Sequence, residues 1–302
     1  MNENFIPPFQ PGDLQSINKF ELESVELKLM PIHNFVVLAK IIYDYFGIKV
    51  TKEKLPLITT RIQPIMKKYG FANYDQYLQA VTSDQSGNMM SELANHVSTN
   101  HTSFFREDVH FKLLTQTILP EIIREKELTG NRDLRVWCAA CSTGEEAYTL
   151  LFCIMRFLGG EYKNWKAGIL ATDISARALA KAKTGLYPAS RLESVPPDYQ
   201  LEFFERQEGG DFAVRETMRQ EVTFRRLNLM NASYPMRLPF DIVFCRNVMI
   251  YFDLETRISL VDKLCNTLRP GGYLFIGHSE SVPGLGDNCL YVAPSVYQMR
   301  KE

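Results

Sequence analysis

The stretch Arg135–Phe152, RVWCAACSTGEEAYTLLF, runs from an apolar segment through a turn of small residues into a helical-period segment. It predicts a strand over Leu134–Ala139 and a helix over Gly144–Leu158. Open α/β sheets bind ligands at the carboxyl ends of their strands, and a small-residue turn before a helix N-terminus lets backbone N–H groups come close to them. This turn carries one glycine, Gly144, where a dinucleotide fingerprint has three. Glu145 and Glu146 also have a purely structural reading. Ser142-x-x-Glu145 and Thr143-x-x-Glu146 both match capping boxes, and acids in a first helical turn suit the helix dipole.

Downstream of this stretch, apolar runs alternate with helical segments, the mark of a mostly parallel sheet. Strands are predicted over Gly168–Thr172, Val222–Leu227, Phe240–Cys245 and Tyr273–Gly277, with a last hairpin ending in Tyr297–Met299. Helices fit Ala176–Lys183 and Leu254–Leu268. The alternation lapses over Leu186–Glu221, which reads as an insertion, and FFERQEGGDFAVRE (Phe203–Glu216) suits a small antiparallel flap. Upstream, Asn34–Val97 predicts four or so short helices from Phe35, Leu38, Ile41, Ile42 and Tyr45, then Leu57, Ile58, Ile62, Ile65 and Met66. Gly47 and Gly70 stand where helices end, and Pro56 and Pro64 predict a kink or break in the second of these segments. Residues 1–33, rich in proline around the acidic FELESVELKLM, read as a loosely ordered arm.

The 302 residues are 45% hydrophobic and 23% charged, with 34 Lys+Arg against 35 Asp+Glu. A net charge of -1 removes the broad positive field of a general nucleic-acid binder. The most apolar helical run, Tyr148–Leu158, is interrupted by Arg156, so no membrane insertion is expected. The opening MNENFIPPFQ lacks signal-peptide features, and six scattered cysteines read as reduced, buried thiols. A cytoplasmic location is expected.

Asp173, at the end of the second strand in GILATDIS, can accept both hydroxyls of a ribose or cap the helix near Ala176. Strand, small-residue turn, helix, strand, acid is a nucleoside-binding arrangement. Its candidate tenants are NAD and S-adenosylmethionine, and the missing glycine fingerprint favours the second. Cys138-x-x-Cys141 has no second pair to complete a zinc set, and the five histidines include no H-E-x-x-H, so no metal is expected. STNHTSFFRE (Ser98–Glu107) offers Asn100, Thr102 and Arg106 around Phe104-Phe105, a pair that reads most simply as an interdomain plug. FDIVFCRNVMIYFD (Phe240–Asp253) offers Arg246, Asn247 and Tyr251, with Asp241 or Asp253 as candidate partners for Arg246.

Taken together, TNHTSFFRE, VWCAACSTGEEAYTL, ATDIS, FCRNVMIYFD and GGYLFIGHSES, in this order, resemble the CheR family of chemotaxis receptor methyltransferases, over about residues 34–300. The resemblance implies a class I methyltransferase, a Rossmann-like mostly parallel sheet, over 120–302, with a β-subdomain inserted at 186–221. It implies an all-α N-terminal domain over 34–97 and a linker over 98–119 that contributes to the site. The implied cofactor is S-adenosyl-L-methionine, leaving as S-adenosyl-L-homocysteine. Implied contacts are Asn100, Thr102 and Arg106; Glu145; Asp173 on the ribose; Asn228-Leu229 near the adenine, with Asn231 as the alternative; and Asn247-Val248 beneath the methionine portion. Arg106 and Tyr251 are placed beside the reacting carboxylate, with service to the cofactor left open for Arg106.

The implied reaction esterifies glutamate side chains on the cytoplasmic helical bundle of chemotaxis receptors. A glutamate, with an ordinary pKa of about 4.3, is already a nucleophile at neutral pH and needs no general base. The face Lys52, Lys54, Arg61, Lys67 and Lys68 is a candidate docking surface for such an acidic bundle. The compact turn at Gly209-Gly210 resembles family members that do not grip a receptor C-terminal peptide. The competing readings are a non-catalytic module that senses S-adenosylmethionine or its product, and a methyltransferase acting on another protein or a small molecule.

Overall fold

The structure, a computed structural model, describes residues 29–280 and 289–301. The arm expected over residues 1–33 lies outside the described residues up to residue 28. The chain divides into two compact units, Met1–Thr99 and Asn100–Glu302.

In the first unit, α1 (Ile32–Phe46) ends on Gly47 and α2 (Leu55–Tyr69) on Gly70, both glycines at φ 72°. Two further helices follow, α3 (Tyr74–Ser83), capped by the Asn73 side chain, and α4 (Asn88–Val97). Phe35, Leu38, Ile42, Ile58, Ile62, Ile65 and Met66 are buried as the helical spacing predicts, but Tyr45 and Leu57 are exposed. Of the kink or break expected from Pro56 and Pro64, the break does not occur: Pro56 stands in the first turn of α2 and the helix continues through Pro64. Ile58 and Ile62 on one side of it and Ile65 and Met66 on the other bury one continuous apolar face, which holds α2 unbroken against the lost hydrogen bond.

The second unit opens with α5 (Val109–Leu113), a single π turn over Leu114–Ile118, and α6 (Leu119–Leu128), in the stretch expected as a linker and just beyond it. The sheet elements and their helices then alternate. They are β1 (Val136–Ala139), α7 (Glu145–Leu158), β2 (Ile169–Asp173), α8 (Ala176–Thr184), β3 (Leu186–Tyr187), α9 (Pro197–Phe203), β4 (Phe204–Arg206), β5 (Phe212–Val214), α10 (Glu216–Arg219) and β6 (Val222–Arg226). They continue with β7 (Phe240–Cys245), α11 (Leu254–Cys265), β8 (Leu268–Ile276), β9 (Cys289–Ala293) and β10 (Val296–Met299).

The main sheet has the order β6-β2-β1-β7-β8-β10-β9. Strands β6 to β8 are parallel, with Val136 in register with Ile169 on one side and Ile242 on the other, and the last two strands run antiparallel. The chain therefore winds outward from β1 through β2 to β6, then returns to β7 on the other flank. The topological switch point falls between β1 and β7, which is where open α/β sheets place their ligands. Residues 186–221 hold a separate antiparallel sheet of order β3-β5-β4, its β4–β5 turn made by Gly209 and Gly210 at φ 94° and 92°. This is the class I methyltransferase architecture.

Leu268 was expected in a helix and opens β8 instead. It pairs with Phe240 across an irregular register, so the sheet claims it five residues before the predicted start at Tyr273. Among the described residues no helix is long and apolar enough to cross a membrane.

Candidate active site

The turn after β1 is built from residues with left-handed backbone, Ala140 (φ 59°), Ser142 (φ 51°) and Gly144 (φ 96°). Only at Gly144 does the backbone also pass so close that a Cβ would meet Ala182 Cβ at 2.9 Å. Neither expected capping box forms, because Gly144 itself is the N-cap of α7 and no side chain caps it. Glu145 is instead folded inward and buried. Its Oε2 accepts from Thr143 Oγ1 at 2.6 Å, while its Oε1 has no hydrogen-bond partner.

Asp173 closes this turn from the end of β2. Its carboxylate accepts the backbone N–H of Ser142 and of Ser175, each at 2.8 Å, and Ser175, not Asp173, caps α8. Burial raises the Asp173 pKa against the lowering effect of those N–H groups. Ser142 Oγ also donates to the Asn100 carbonyl at 3.2 Å, which brings the Asn100–Arg106 segment to the carboxyl end of β1.

That segment carries Thr102, buried, whose carbonyl accepts from Arg191 Nη1 at 2.7 Å. Phe104 is fully buried among Tyr187 and Phe204, and Phe105 packs edge-on to Phe111 and Tyr199. The aromatic pair, expected as an interdomain plug, thus seats its rings within the second unit, where the β-subdomain supplies ring partners. Arg106 Nη1 donates to the His101 carbonyl at 2.9 Å.

After β7, Arg246 is buried with neither expected partner. Asp241 is held by Lys126 and Arg269, and Asp253 caps α11. Arg246 instead binds Glu107 Oε2 and Glu146 Oε2, both at 2.9 Å, and donates to the Arg106 carbonyl at 2.6 Å. Burial pushes the Glu107 pKa up, but hydrogen bonds from Asn247 and Arg246 and the Arg246 charge outweigh it and bring it down to about 2. For Glu146 burial prevails over the same guanidinium, and its pKa is raised.

Asn247, at φ 58°, donates through Nδ2 to Glu107 Oε1 at 2.9 Å. Its loop is clasped by Glu280, a buried carboxylate that accepts four backbone N–H groups. Oε2 takes Asn247 at 3.0 Å and Gly277 at 2.6 Å, and Oε1 takes Met249 at 2.6 Å and Ile250 at 3.2 Å. Gly277 is fixed by this packing, since a Cβ there would lie 2.8 Å from Asn247 N and from Glu280 Oε2. Val248 and Tyr251 are half-buried in the same loop.

Beyond β6, Asn228 is half-buried, with Oδ1 accepting the Met230 N–H at 2.9 Å, and Leu229 is buried, while the alternative Asn231 is exposed. Of the CxxC pair, Cys138 Sγ donates to Glu146 Oε1 at 3.3 Å, and burial drives both thiols well above their ordinary pKa, the opposite of a redox thiolate.

The structure thus joins Asn100, Thr102, Arg106, Glu145, Asp173, Asn247 and Val248 through the loops at the carboxyl ends of β1, β2 and β7. Of the four residues that hold those loops together, Glu107 and Glu280 had no assigned role in the sequence, while Glu146 was read as a capping acid and Arg246 as a partner of Asp241 or Asp253. Glu280 lies inside GGYLFIGHSES, and an acid three residues beyond the predicted strand Tyr273–Gly277 was its only sequence signal.

Residues 100–295 match the CheR methyltransferase SAM binding domain, and residues 33–98 match the CheR methyltransferase all-alpha domain. The chain belongs to the CheR methyltransferase family. A chemotaxis protein methyltransferase of Borreliella burgdorferi is 38% identical over 261 residues, 86% of this chain and 92% of that one. One from Escherichia coli is 32% identical over 284 residues, covering 93% and 96%. A probable chemotaxis protein methyltransferase of Rhizobium etli is 35% identical over 246 residues, covering 80% and 90%.

As a CheR-family methyltransferase the protein uses S-adenosylmethionine. The site fits that cofactor on its own evidence. Glu145 Oε1 is buried with no hydrogen-bond partner, Arg191 Nη1 standing off at 3.8 Å, so it can accept a hydrogen bond from the cofactor's α-ammonium.

Proposed function

We propose that this protein transfers a methyl group from S-adenosylmethionine to glutamate side-chain carboxylates on the cytoplasmic helical bundle of chemotaxis receptors. The observation that carries the reading is that the acids around the site are already engaged as hydrogen-bond acceptors. Asp173 holds two N–H groups, Glu280 holds four, and Glu107 and Glu146 share Arg246. None is left as a proton acceptor except Glu145, which the cofactor's ammonium would occupy. A substrate that arrives as an anion, with no proton to lose, suits such a site.

The bound cofactor supplies an electrophilic methyl group on a positively charged sulfur. Asp173 retains lone pairs for the ribose hydroxyls beyond the two N–H groups it holds. Asn228 and Leu229 would border the adenine, and Asn247 with Val248 the methionine portion, alongside Asn100 and Thr102. Arg106 orients the incoming carboxylate by its guanidinium fork, and Tyr251 donates to the oxygen that does not attack, so that the other oxygen lies in line with the methyl at roughly 3 to 3.5 Å. No proton moves in the step.

Docking draws on a smaller basic face than the sequence offered. Arg61 donates to the Val97 carbonyl at 2.6 Å and to Thr99 Oγ1 at 3.1 Å, and Lys68 is paired with Glu92, which leaves Lys52, Lys54 and Lys67 exposed. A receptor C-terminal tether is not part of this reading.

The test uses cofactor labelled on its methyl group with receptor-bearing membranes. Protein-bound label released as methanol by mild alkali, and lost in Arg106→Ala, supports glutamate esterification. Alkali-stable label would move the substrate to a nitrogen. Cofactor binding without label transfer would favour the sensing module.

A further inference from the structure

The histidines gave no metal motif in sequence, yet the fold brings two of them to one acid. His110 lies in α5 with its side chain 1% exposed, and its Nε2 faces the Pro294 carbonyl at 3.4 Å. That carbonyl can only accept, so the ring proton belongs on Nε2 and Nδ1 carries a lone pair. This Nδ1 is buried and has no hydrogen-bond partner. Glu107 Oε2 lies 3.6 Å from it, beyond hydrogen-bond distance, and accepts from Arg246 Nη2 at 2.9 Å and from the His278 backbone N–H at 3.2 Å. His278, in the turn after β8, brings its Nδ1 to 4.0 Å from the same oxygen, and the two imidazole rings stand 4.5 Å apart at 75°. One ligand atom from each of the three residues lies within 4.8 Å of the others.

We propose that Glu107, His110 and His278 form a binding site for a divalent transition-metal ion of the zinc class, with His278 on its solvent side. In a tetrahedral zinc site, bonds of 2.0–2.1 Å place ligand atoms about 3.4 Å apart. The 3.6 Å and 4.0 Å separations lie near that edge and all three atoms lie within 4.8 Å, so closure needs side-chain rotations that draw the two imidazoles together. The Nε2-to-carbonyl contact is the outer-shell hydrogen bond that orients metal-binding imidazoles. Arg246 is the near cation that would oppose an ion. It is paired with two carboxylates, Glu107 and Glu146, at 2.9 Å each, which offset its charge. His278 is 41% exposed, which gives the ion an entry path and leaves room for water in the fourth position. The site would join the start of α5 to the turn after β8 and is independent of the methyl acceptor.

The test titrates cobalt(II), as a spectroscopic probe, into the full chain stripped with a chelator. The expected result is one equivalent bound with the visible absorption of a four- or five-coordinate nitrogen and oxygen site, displaced by zinc, with a rise in Tm of several degrees. His278→Ala should abolish the absorption and the Tm shift. Because His278 is partly exposed, this variant keeps the test valid even if the buried His110→Gln fails to fold. No binding below about 1 mM, or a spectrum unchanged by His278→Ala, would overturn the site.

Discussion

Replacing Arg246 by Met keeps much of the side chain's volume and removes the cation that Glu107 and Glu146 share at 2.9 Å each. The Arg246 side chain is fully buried, and those of Glu107 and Glu146 are only 15% and 12% exposed, so water cannot replace it cheaply. Breaking a buried ion pair from one side costs about 3–5 kcal/mol, a large share of a total stability of about 5–15 kcal/mol. With a urea slope of about 2 kcal/mol/M, the unfolding midpoint should fall by about 2 M. Trp137 and Trp165 both lie in the second unit, so their fluorescence reports the unit that loses the pair.

The pH dependence gives a sharper check on Arg246. In the native chain Glu107 is held at about 2, so its stabilisation is present above the ordinary carboxyl pKa of about 4.3 and is lost as pH falls toward 2. Without the guanidinium, burial dominates and lifts the folded pKa of Glu107 and Glu146 above the unfolded value. Their contribution is then present at low pH and lost as pH rises through the folded pKa. The Arg246→Met deficit should be larger at pH 8 than at pH 5, and Arg246→Met with Glu146→Gln should recover about 1 kcal/mol or more. A deficit below about 1 kcal/mol, equal at both pH values, would refute the assignment of this pair as the fastener of the site.

Glu280→Gln keeps one acceptor oxygen and turns an amide NH2, a donor only, toward two N–H groups, which should cost about 3 kcal/mol and weaken cofactor binding measured by calorimetry. Stability within 0.5 kcal/mol of the parent, on the order of a surface substitution, would contradict it. Asp173→Asn should weaken cofactor affinity about tenfold or more with the fold intact by circular dichroism, since one acceptor for the ribose is lost and 1.4 kcal/mol is tenfold. The raised Asp173 pKa implies that cofactor affinity declines with acidification sooner than an ordinary aspartate would allow, which a binding series from pH 7 to pH 4 would show. Reversing Lys52, Lys54 and Lys67 to Glu should slow receptor methylation and leave cofactor affinity unchanged; equal loss of both would dismiss the docking role.

The sheet was legible because its determinants are local. Phe240–Cys245 is apolar at every position but Asp241 and falls where the strand does, and Asp173 ends β2 as its position after an apolar segment implies. Leu268 was misplaced because helix and strand compete for a short apolar segment, and only its pairing with Phe240 decides between them. The helix continues through Pro64 for a related reason, since the burial on either side of it offsets the local cost that the sequence alone shows.

The site followed the same division. Residues at the ends of strands, such as Glu145 and Asn247, could be picked out from motif and resemblance. Their fasteners could not, because Arg246 finds Glu107 139 residues away and Glu146 100 residues away, while Asp241 and Asp253, nearer in sequence, are committed elsewhere. A guanidinium in a sequence has many carboxylates to choose from. Which ones it meets is fixed only when parallel strands bring three loops to one end of a sheet.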